Sequence, residues 1–281
     1  MPVPTRLGQF ELREEIGRGG IATVYRAVDR VRKCEVTLKL LREELAQDPG
    51  LVGDFLEEAR HVATLNHPRI RQVYEAGEAD GRYYIAMELL NGRALDKLIE
   101  KERWLDEEPA LQIAIDVAEA LQAAYRQRII HGDVKPPNIF VVEGDGAKLL
   151  DFGMARLTNI GSWSSDGIWG SPHYVSPERV QQLTENFCSD VYSLGVTLFH
   201  ALTGRPPFEG SDAGAIALKR LTEKPPGVRE LNPRISAATE QVISKMLHRN
   251  PGQRYSSYDD LLEALRHARP RPLRRPWRSS R

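Results

Sequence analysis

The sequence predicts an α+β chain in two unequal lobes, a small one built of strands with a single helix and a larger one that is mainly helical. Three observations predict it. Five β-rich runs fall before residue 90, and one run there repeats at three and four. After Asn91-Gly92 the apolar residues recur at helical spacing over long stretches. Between two short strands and the last helices lies Asp151–Glu178, rich in Gly, Ser and Thr and almost without periodicity.

In the small lobe, Phe10–Gly17 and Thr23–Asp29 flank a glycine turn, and Glu35–Leu41 alternates before running apolar, as a third strand would. Asp48-Pro49 opens a helix whose apolar positions are Leu51, Val52, Phe55, Leu56, Ala59, Val62 and Ala63. Ile70–Gly77 and Arg82–Leu89 are the fourth and fifth strands, and the lobes divide near Leu89–Gly92. In the large lobe Glu107–Arg128 is a long buried helix, and Ile139–Val142 and Ala147–Leu150 are short strands about a Glu-Gly-Asp-Gly turn. Helices are expected at Asn186–Leu202, Ala213–Thr222, Ala237–His248 and Ser257–His267. A cleft between two lobes is where a ligand would sit.

Composition sets bounds. The 281 residues carry 39 Lys+Arg against 39 Asp+Glu, so charge balance asks for no nucleic-acid partner. With 41% apolar residues a core can be buried. Two cysteines, Cys34 and Cys188, do not make a disulfide framework and suit a reducing compartment. No apolar run approaches the roughly 20 residues that span a bilayer, and Met1–Gln9 does not read as a signal peptide. Arg266–Arg281 is basic and proline-rich, expected to be extended. Two readings of it stay open: a solvated linker, or a juxtamembrane segment preceding a membrane helix.

Four sites carry chemistry. Gly17-Arg18-Gly19-Gly20-Ile21-Ala22-Thr23-Val24 opens a strand rather than a helix, which favours a hairpin lid whose N–H groups lie over phosphates; alone it is equally a plain hairpin. Lys39 sits in the apolar run VTLKLL, where an ammonium needs a partner, and Glu58 on the following helix is the candidate. His131-Gly132-Asp133-Val134-Lys135-Pro136-Pro137-Asn138 gathers a carboxylate, a lysine and an amide beside a strand. Leu149-Leu150-Asp151-Phe152-Gly153 follows. Asp133 can accept a hydroxyl proton, and Asn138 and Asp151 offer hard oxygens that suit Mg²⁺.

The ordered set G-x-G-x-x-A-x-V, V-T-L-K, helix Glu, H-G-D-x-K-x-x-N, D-F-G and S-P-E resembles the signature of eukaryotic-type protein kinases. Ser189-Asp190-Val191-Tyr192-Ser193-Leu194-Gly195 and Arg254 in PGQRY extend the likeness, which runs from about Phe10 to His267. IGRGGIATVYRA, LNHPRI, YIAMELLNG and IIHGDVKPPNIF are similar to bacterial Ser/Thr kinases, including the receptor-like Hanks-type ones.

That resemblance implies a two-lobed kinase fold: an N-terminal extension (1–9), an N-lobe with a five-stranded antiparallel sheet and one helix (10–89), a hinge (90–92), a helical C-lobe (93–268) and a basic, Pro-rich tail (269–281). It implies transfer of the γ-phosphoryl group of ATP to Ser/Thr hydroxyls of proteins, this chain included, with Mg²⁺ or its substitute Mn²⁺. Lys39 is expected on the α/β-phosphates, paired with Glu58. Asp133 orients the hydroxyl and takes its proton, Lys135 neutralises the transferring phosphate, and Asn138 and Asp151 hold the metal. Gly17 and Gly19 belong to the lid. Val24, Thr37 and Phe140 enclose adenine, Met87 is the gatekeeper, and Glu88 to Leu90 binds the base through its backbone. His131, Phe152 and Gly153 belong to the supporting motifs. Ser171 bonds the catalytic Asp, Glu178 pairs with Arg254 to brace the substrate loop, and Asp190 supports the catalytic loop from below. The resemblance also implies a cytoplasmic domain, membrane attachment only downstream of residue 281, and a weak homodimer through the back of the small lobe.

The sequence departs from the family at Gly132, where an arginine that reads a loop phosphate usually stands, so the order of Asp151–Glu178 is expected to depend less on phosphorylation. Thr37, for the usual alanine, and Phe140, for the usual leucine, narrow the adenine slot. These departures keep a second reading open, a pseudokinase or scaffold with weak nucleotide binding. A small-molecule phosphotransferase fits less well, because Ser176-Pro177-Glu178 is present.

Overall fold

The computed structural model describes residues 6–152 and 172–269, and of Glu58 the backbone only. Six strands form the first sheet: β1 (Arg6–Leu7), β2 (Phe10–Arg18), β3 (Ala22–Asp29), β4 (Cys34–Leu41), β5 (Val73–Ala79) and β6 (Arg82–Glu88). Their order is β1-β2-β3-β4-β6-β5, and every neighbouring pair is antiparallel. All five expected strands are present. The sixth, β1, lies ahead of Phe10, and Leu7 anchors it in the core at 1% exposure.

The period-two alternation of β4 divides the small lobe into two packed faces. Val36, Leu38 and Leu40 meet Phe10, Leu12 and Tyr25 on one side. Leu41 on the other side joins Phe55, Ala59, Ile85 and Met87, which seats helix α1 (Pro49–Ala63) against the sheet. The start of α1 is set locally: Asp48 accepts hydrogen bonds from the N–H groups of Gly50 and Leu51, with Pro49 in the first turn. Lys39 therefore falls on the α1 side, on a wall of the cleft between the lobes.

The large lobe is built on two long helices, α3 (Glu107–Arg126) and α5 (Phe187–Thr203), both buried around much of their circumference. Shorter helices complete it: α2 (Leu95–Glu102), α4 (Pro177–Val180), α6 (Ala213–Thr222), α7 (Val228–Leu231), α8 (Ala237–Met246) and α9 (Tyr258–Ala268). A second, three-stranded sheet, β7 (Gly92–Ala94), β8 (Ile139–Val142) and β9 (Gly146–Leu149), lies beside α3. α2, α4 and α7 are short elements that periodicity did not reveal.

One expected strand is displaced. Ile70–Gly77 becomes Val73–Ala79, because residues 69–71 bond the large lobe instead. The N–H of Leu149 donates to Arg69 O at 2.8 Å, and the N–H of Arg71 donates to Leu149 O at 3.0 Å. Ile70, 2% exposed, packs into the large-lobe core. Arg69 reaches the buried Asp116 of α3 at 3.3 Å, and Asp116 also accepts from the N–H of Ala147 at 2.8 Å. The segment after α1 thus ties the two lobes together.

Candidate active site

The segment His131–Asn138 runs between α3 and β8, closed by a 3₁₀ turn at Pro136–Asn138. Its polar groups are fixed by a chain of hydrogen bonds. Asp190 on α5 accepts from the N–H of His131 at 2.9 Å and of Gly132 at 2.8 Å. The N–H of Asp133 donates to His131 Nδ1 at 3.1 Å, so the ring proton sits on Nε2 and donates to Leu150 O at 2.8 Å. Phe152 packs edge-on against this imidazole, ring centroids 4.6 Å apart. Burial pushes the Asp190 carboxyl up, against the pull of His131 and the two N–H groups.

Three functional side chains meet on this loop. Asp133 Oδ2 lies 2.7 Å from Lys135 Nζ and accepts from Asn138 Nδ2 at 2.9 Å. The same Asn138 nitrogen donates to Asp133 O at 2.8 Å, which leaves the Asn138 amide oxygen for another partner. Gly132 adopts φ +74°, a left-handed conformation that strains any residue with a Cβ. Arg179 on α4 donates to the Gly132 carbonyl and lies 3.4 Å from Glu185.

Across the cleft, Lys39 Nζ lies 3.2 Å from Asp151 Oδ2. Burial alone would raise the Asp151 carboxyl, but the charges of Lys39 and Arg71 and the bond from Lys39 hold it below the usual aspartate range. Asp151 also sits at φ +48°. The expected Lys39–Glu58 pair lies outside the described side chains, and the observed partner of Lys39 is Asp151. The cleft here has largely apolar walls, Met87, Ile85 and Phe152 among them.

The glycine-rich turn is a hairpin, as its β-forming flank predicts: the N–H of Gly19 donates to Ala22 O at 2.9 Å and Gly17 faces Val24 across the strands. Val24 pairs with Lys39, and Thr37 with Met87, so these four occupy adjacent positions in one sheet. Thr37 is fully buried, and its hydroxyl has no hydrogen-bond partner among the described residues. Glu88 ends β6; its carboxylate takes Lys148 Nζ of β9 at 2.7 and 2.9 Å, and its carbonyl takes Arg71 Nε at 2.9 Å. Leu90 is half-buried beyond it, and Phe140 stands half-buried on β8, opposite Ala94 and Lys148 in register.

Below the loop, Glu178 and Arg254 form a buried bidentate pair with both contacts at 2.8 Å. Arg254 also donates to the carbonyls of Cys188, His248 and Arg249, and Ser189 Oγ donates to Glu178 at 2.7 Å. Burial would raise the Glu178 carboxyl; the bonds from Arg254 and Ser189 hold it below the usual glutamate value.

The structure therefore brings Asp133, Lys135 and Asn138 together, and separately Lys39 with Asp151, Glu178 with Arg254, and His131 with Asp190 and Phe152. Gly153 and Ser171 lie outside the described residues, as does the tail from residue 270. Sequence reading missed Arg71, Lys148 and Arg179. For Arg71 a signal existed, a second arginine in His67-Pro68-Arg69-Ile70-Arg71, but it reads as an outward strand position. A divalent ion fits the donor set. Asp151 is held ionised and the Asn138 carbonyl is unspent, two hard oxygens of the kind Mg²⁺ takes alongside phosphate and water.

The family model for the protein kinase domain matches residues 10–268. The chain is 36% identical over 255 residues to the serine/threonine-protein kinase PrkC of Bacillus subtilis, covering 90% of this chain and 39% of that protein. It is 35% identical over 283 residues to the serine/threonine-protein kinase PknA of Mycobacterium tuberculosis, covering 97% of this chain and 65% of the relative. The chain thus spans between about two fifths and two thirds of the length of these relatives. The crystal structure of the Mycobacterium tuberculosis PknI kinase domain superposes with a TM-score of 0.74 at 25% identity, covering 95% of this chain and all of that one.

Proposed function

The chain belongs to the protein kinase domain family, and from that membership and the geometry of the cleft we propose that it transfers the γ-phosphoryl group of ATP to serine or threonine hydroxyls of proteins. The observation that carries this reading is the meeting of Asp133 Oδ2 with Lys135 Nζ and Asn138 Nδ2, opposite a Lys39–Asp151 pair. In this reading the small lobe is 10–89, extended at its start by β1 (Arg6–Leu7), the hinge is 90–92, the large lobe 93–268 and the basic tail 269–281.

Each residue's role follows from its chemistry. Asp133 accepts the substrate hydroxyl's proton, a carboxylate aimed by Asn138 and the Asp190-held backbone. Lys135 lies 2.7 Å from Asp133, where its charge would offset negative charge that grows on the oxygens of a transferred phosphoryl group. Lys39 holds the nucleotide's inner phosphates, with Glu58 its proposed second partner. Gly17 and Gly19 let the lid backbone approach those phosphates, and Val24, Thr37, Met87 and Phe140 enclose the base against the backbone of Glu88 to Leu90. Asn138 and Asp151 would hold a divalent ion, Mg²⁺ in this proposal with Mn²⁺ as substitute, which supplies charge neutralisation between phosphates. Positioning and electrostatics suffice for such a reaction. Glu178–Arg254 and Asp190 keep the loop in register, and His131 and Phe152 pack the motif holding Asp151; the roles of Gly153 in that motif and of Ser171 as a partner of Asp133 are proposed from family membership alone.

Gly132 supports the proposal that activity needs no phosphorylation of the loop Asp151–Glu178. At φ +74° it carries no guanidinium to read a phosphate, and its carbonyl is engaged by Arg179. Among the described residues no helix is long and apolar enough to cross a membrane. A cytoplasmic kinase domain, membrane attachment downstream of residue 281 and a weak homodimer belong to the proposal; fractionation and light scattering of the full-length product test them.

Transfer from labelled ATP to a generic basic protein, compared with Lys39→Met and Asp133→Asn, tests the central reading. Each variant is expected to lose about a hundredfold or more in rate. Equal transfer in all three proteins would remove the enzyme and leave a nucleotide-binding scaffold.

A further inference from the structure

Arg71 is a polar residue of the cleft to which the catalytic scheme gives no task. It lines the same cavity as Lys39, Met87, Asp151 and Phe152, behind the end of β6. Its Nε donates to the backbone carbonyl of Glu88 at 2.9 Å. Among the described residues its two terminal nitrogens hold no hydrogen bond, so they are free to meet a ligand in the cleft. Its own backbone is pinned, with the N–H on Leu149 O at 3.0 Å. The Glu88 carbonyl is held just as firmly, because Lys148 grips that residue's carboxylate from the large lobe. The guanidinium is thus a fixed donor at the edge where a purine would meet the hinge.

Purine edges differ there. Adenine presents an amino donor beside an acceptor nitrogen, whereas guanine presents two acceptors, O6 and N7. An arginine has donors only, in a planar fork that matches the guanine pair and opposes an amino group. At a hinge carbonyl with no arginine on it, the amino group of adenine finds an acceptor and the oxygen of guanine meets repulsion. Here that carbonyl is already engaged by a cation, and the cation offers O6 and N7 its remaining N–H groups.

We propose that Arg71 sets the nucleotide preference of this kinase site, so that a 6-oxopurine triphosphate, GTP, is accepted as phosphoryl donor alongside ATP. The proposal rests on the base lying against Glu88 to Leu90, as in the reading above. Arg71 is a specificity-determining residue in this scheme; no proton or phosphoryl group passes through it.

The test measures kcat/KM for ATP and GTP, and separately calorimetric binding of their non-hydrolysable analogues, in the wild-type protein, Arg71→Val and Arg71→Lys. The wild type is expected to bind and use the two nucleotides within about tenfold of each other, and Arg71→Val to shift the ratio toward ATP by about tenfold or more. Arg71→Lys, which keeps the charge but not the fork, should shift it less. A purely structural role would change both nucleotides together and leave the ratio within roughly twofold, which overturns the proposal. So does a wild-type protein that prefers the ATP analogue by about a hundredfold. Asp133→Asn is run beside them. If it transfers as well as the wild type, the kinase reading fails, while the binding ratio still decides the role of Arg71.

Discussion

Removing the Glu178 carboxylate by Glu178→Ala strands one of the most enclosed charges in the molecule. The Arg254 side chain is 0% exposed and that of Glu178 6%. Arg254 spends its donors on both Glu178 oxygens and on three backbone carbonyls, and its guanidinium lies 4.9 Å from the Tyr192 ring centroid. Without Glu178 the cation keeps the carbonyls but has no counter-charge in a site closed to water. Breaking such a pair from one side costs about 3–5 kcal/mol, against about 0–1 kcal/mol for a surface pair. At about 2–4 °C per kcal/mol for a domain of this size, Tm falls by roughly 10 °C. The assay is urea and thermal unfolding of the wild type, Glu178→Ala, Arg254→Met and the double variant Glu178→Ala/Arg254→Met. The double variant removes both charges, so it is expected to lose less than the two single losses added. A Glu178→Ala loss under about 1 kcal/mol, or strict additivity, would refute the claim that a desolvated charge pair braces this end of the site.

Three further outcomes follow from the same contacts. The folded-state pKa of Glu178 lies below its ordinary value of 4.5, so between the two values the unfolded chain binds more protons and stability rises with pH. Its contribution is therefore complete above pH 4.5 and lost as pH falls through the depressed value; in urea midpoints measured across this range, Glu178→Gln should lack that part of the acid slope. Asp190→Ala leaves the buried N–H of His131 and the N–H of Gly132 without acceptors, expected to cost about 1–3 kcal/mol for each unsatisfied group and to slow transfer, by denaturation and kinase assay. Gly195→Ala would put a Cβ 2.7 Å from Met246 Cβ where α5 crosses α8, and about 1–3 kcal/mol of overpacking should appear as a lower urea midpoint.

Much of the architecture was legible because the patterns are local. Alternation in Glu35–Leu41 and spacing of three and four in Asn186–Leu202 each report a buried face of one element. Ile70 misled for the opposite reason: an apolar residue between Arg69 and Arg71 suits an alternating strand, but its backbone partner is Leu149, in the other lobe. The short helices α2, α4 and α7 are too brief for a period to show, and packing holds them. In the site, Asp133, Lys135 and Asn138 could be read together because six residues of chain carry all three. Arg71 could not, since nothing near it in sequence announces that Glu88 O is within reach.

By itself the sequence determined which groups this protein has to work with and on which kind of element each rides: a lysine in an apolar strand, a carboxylate and an amide in one tight loop, an acid after a short strand. Those follow from covalent order and local periodicity. Only the tertiary structure decided who meets whom: Lys39 with Asp151 across the cleft, Glu178 with Arg254 from distant helical regions, and an arginine laid on the carbonyl that ends β6. Such meetings are settled by the packing of two lobes and by the cost of leaving a buried charge or carbonyl unanswered, and neither is written in any short stretch of chain.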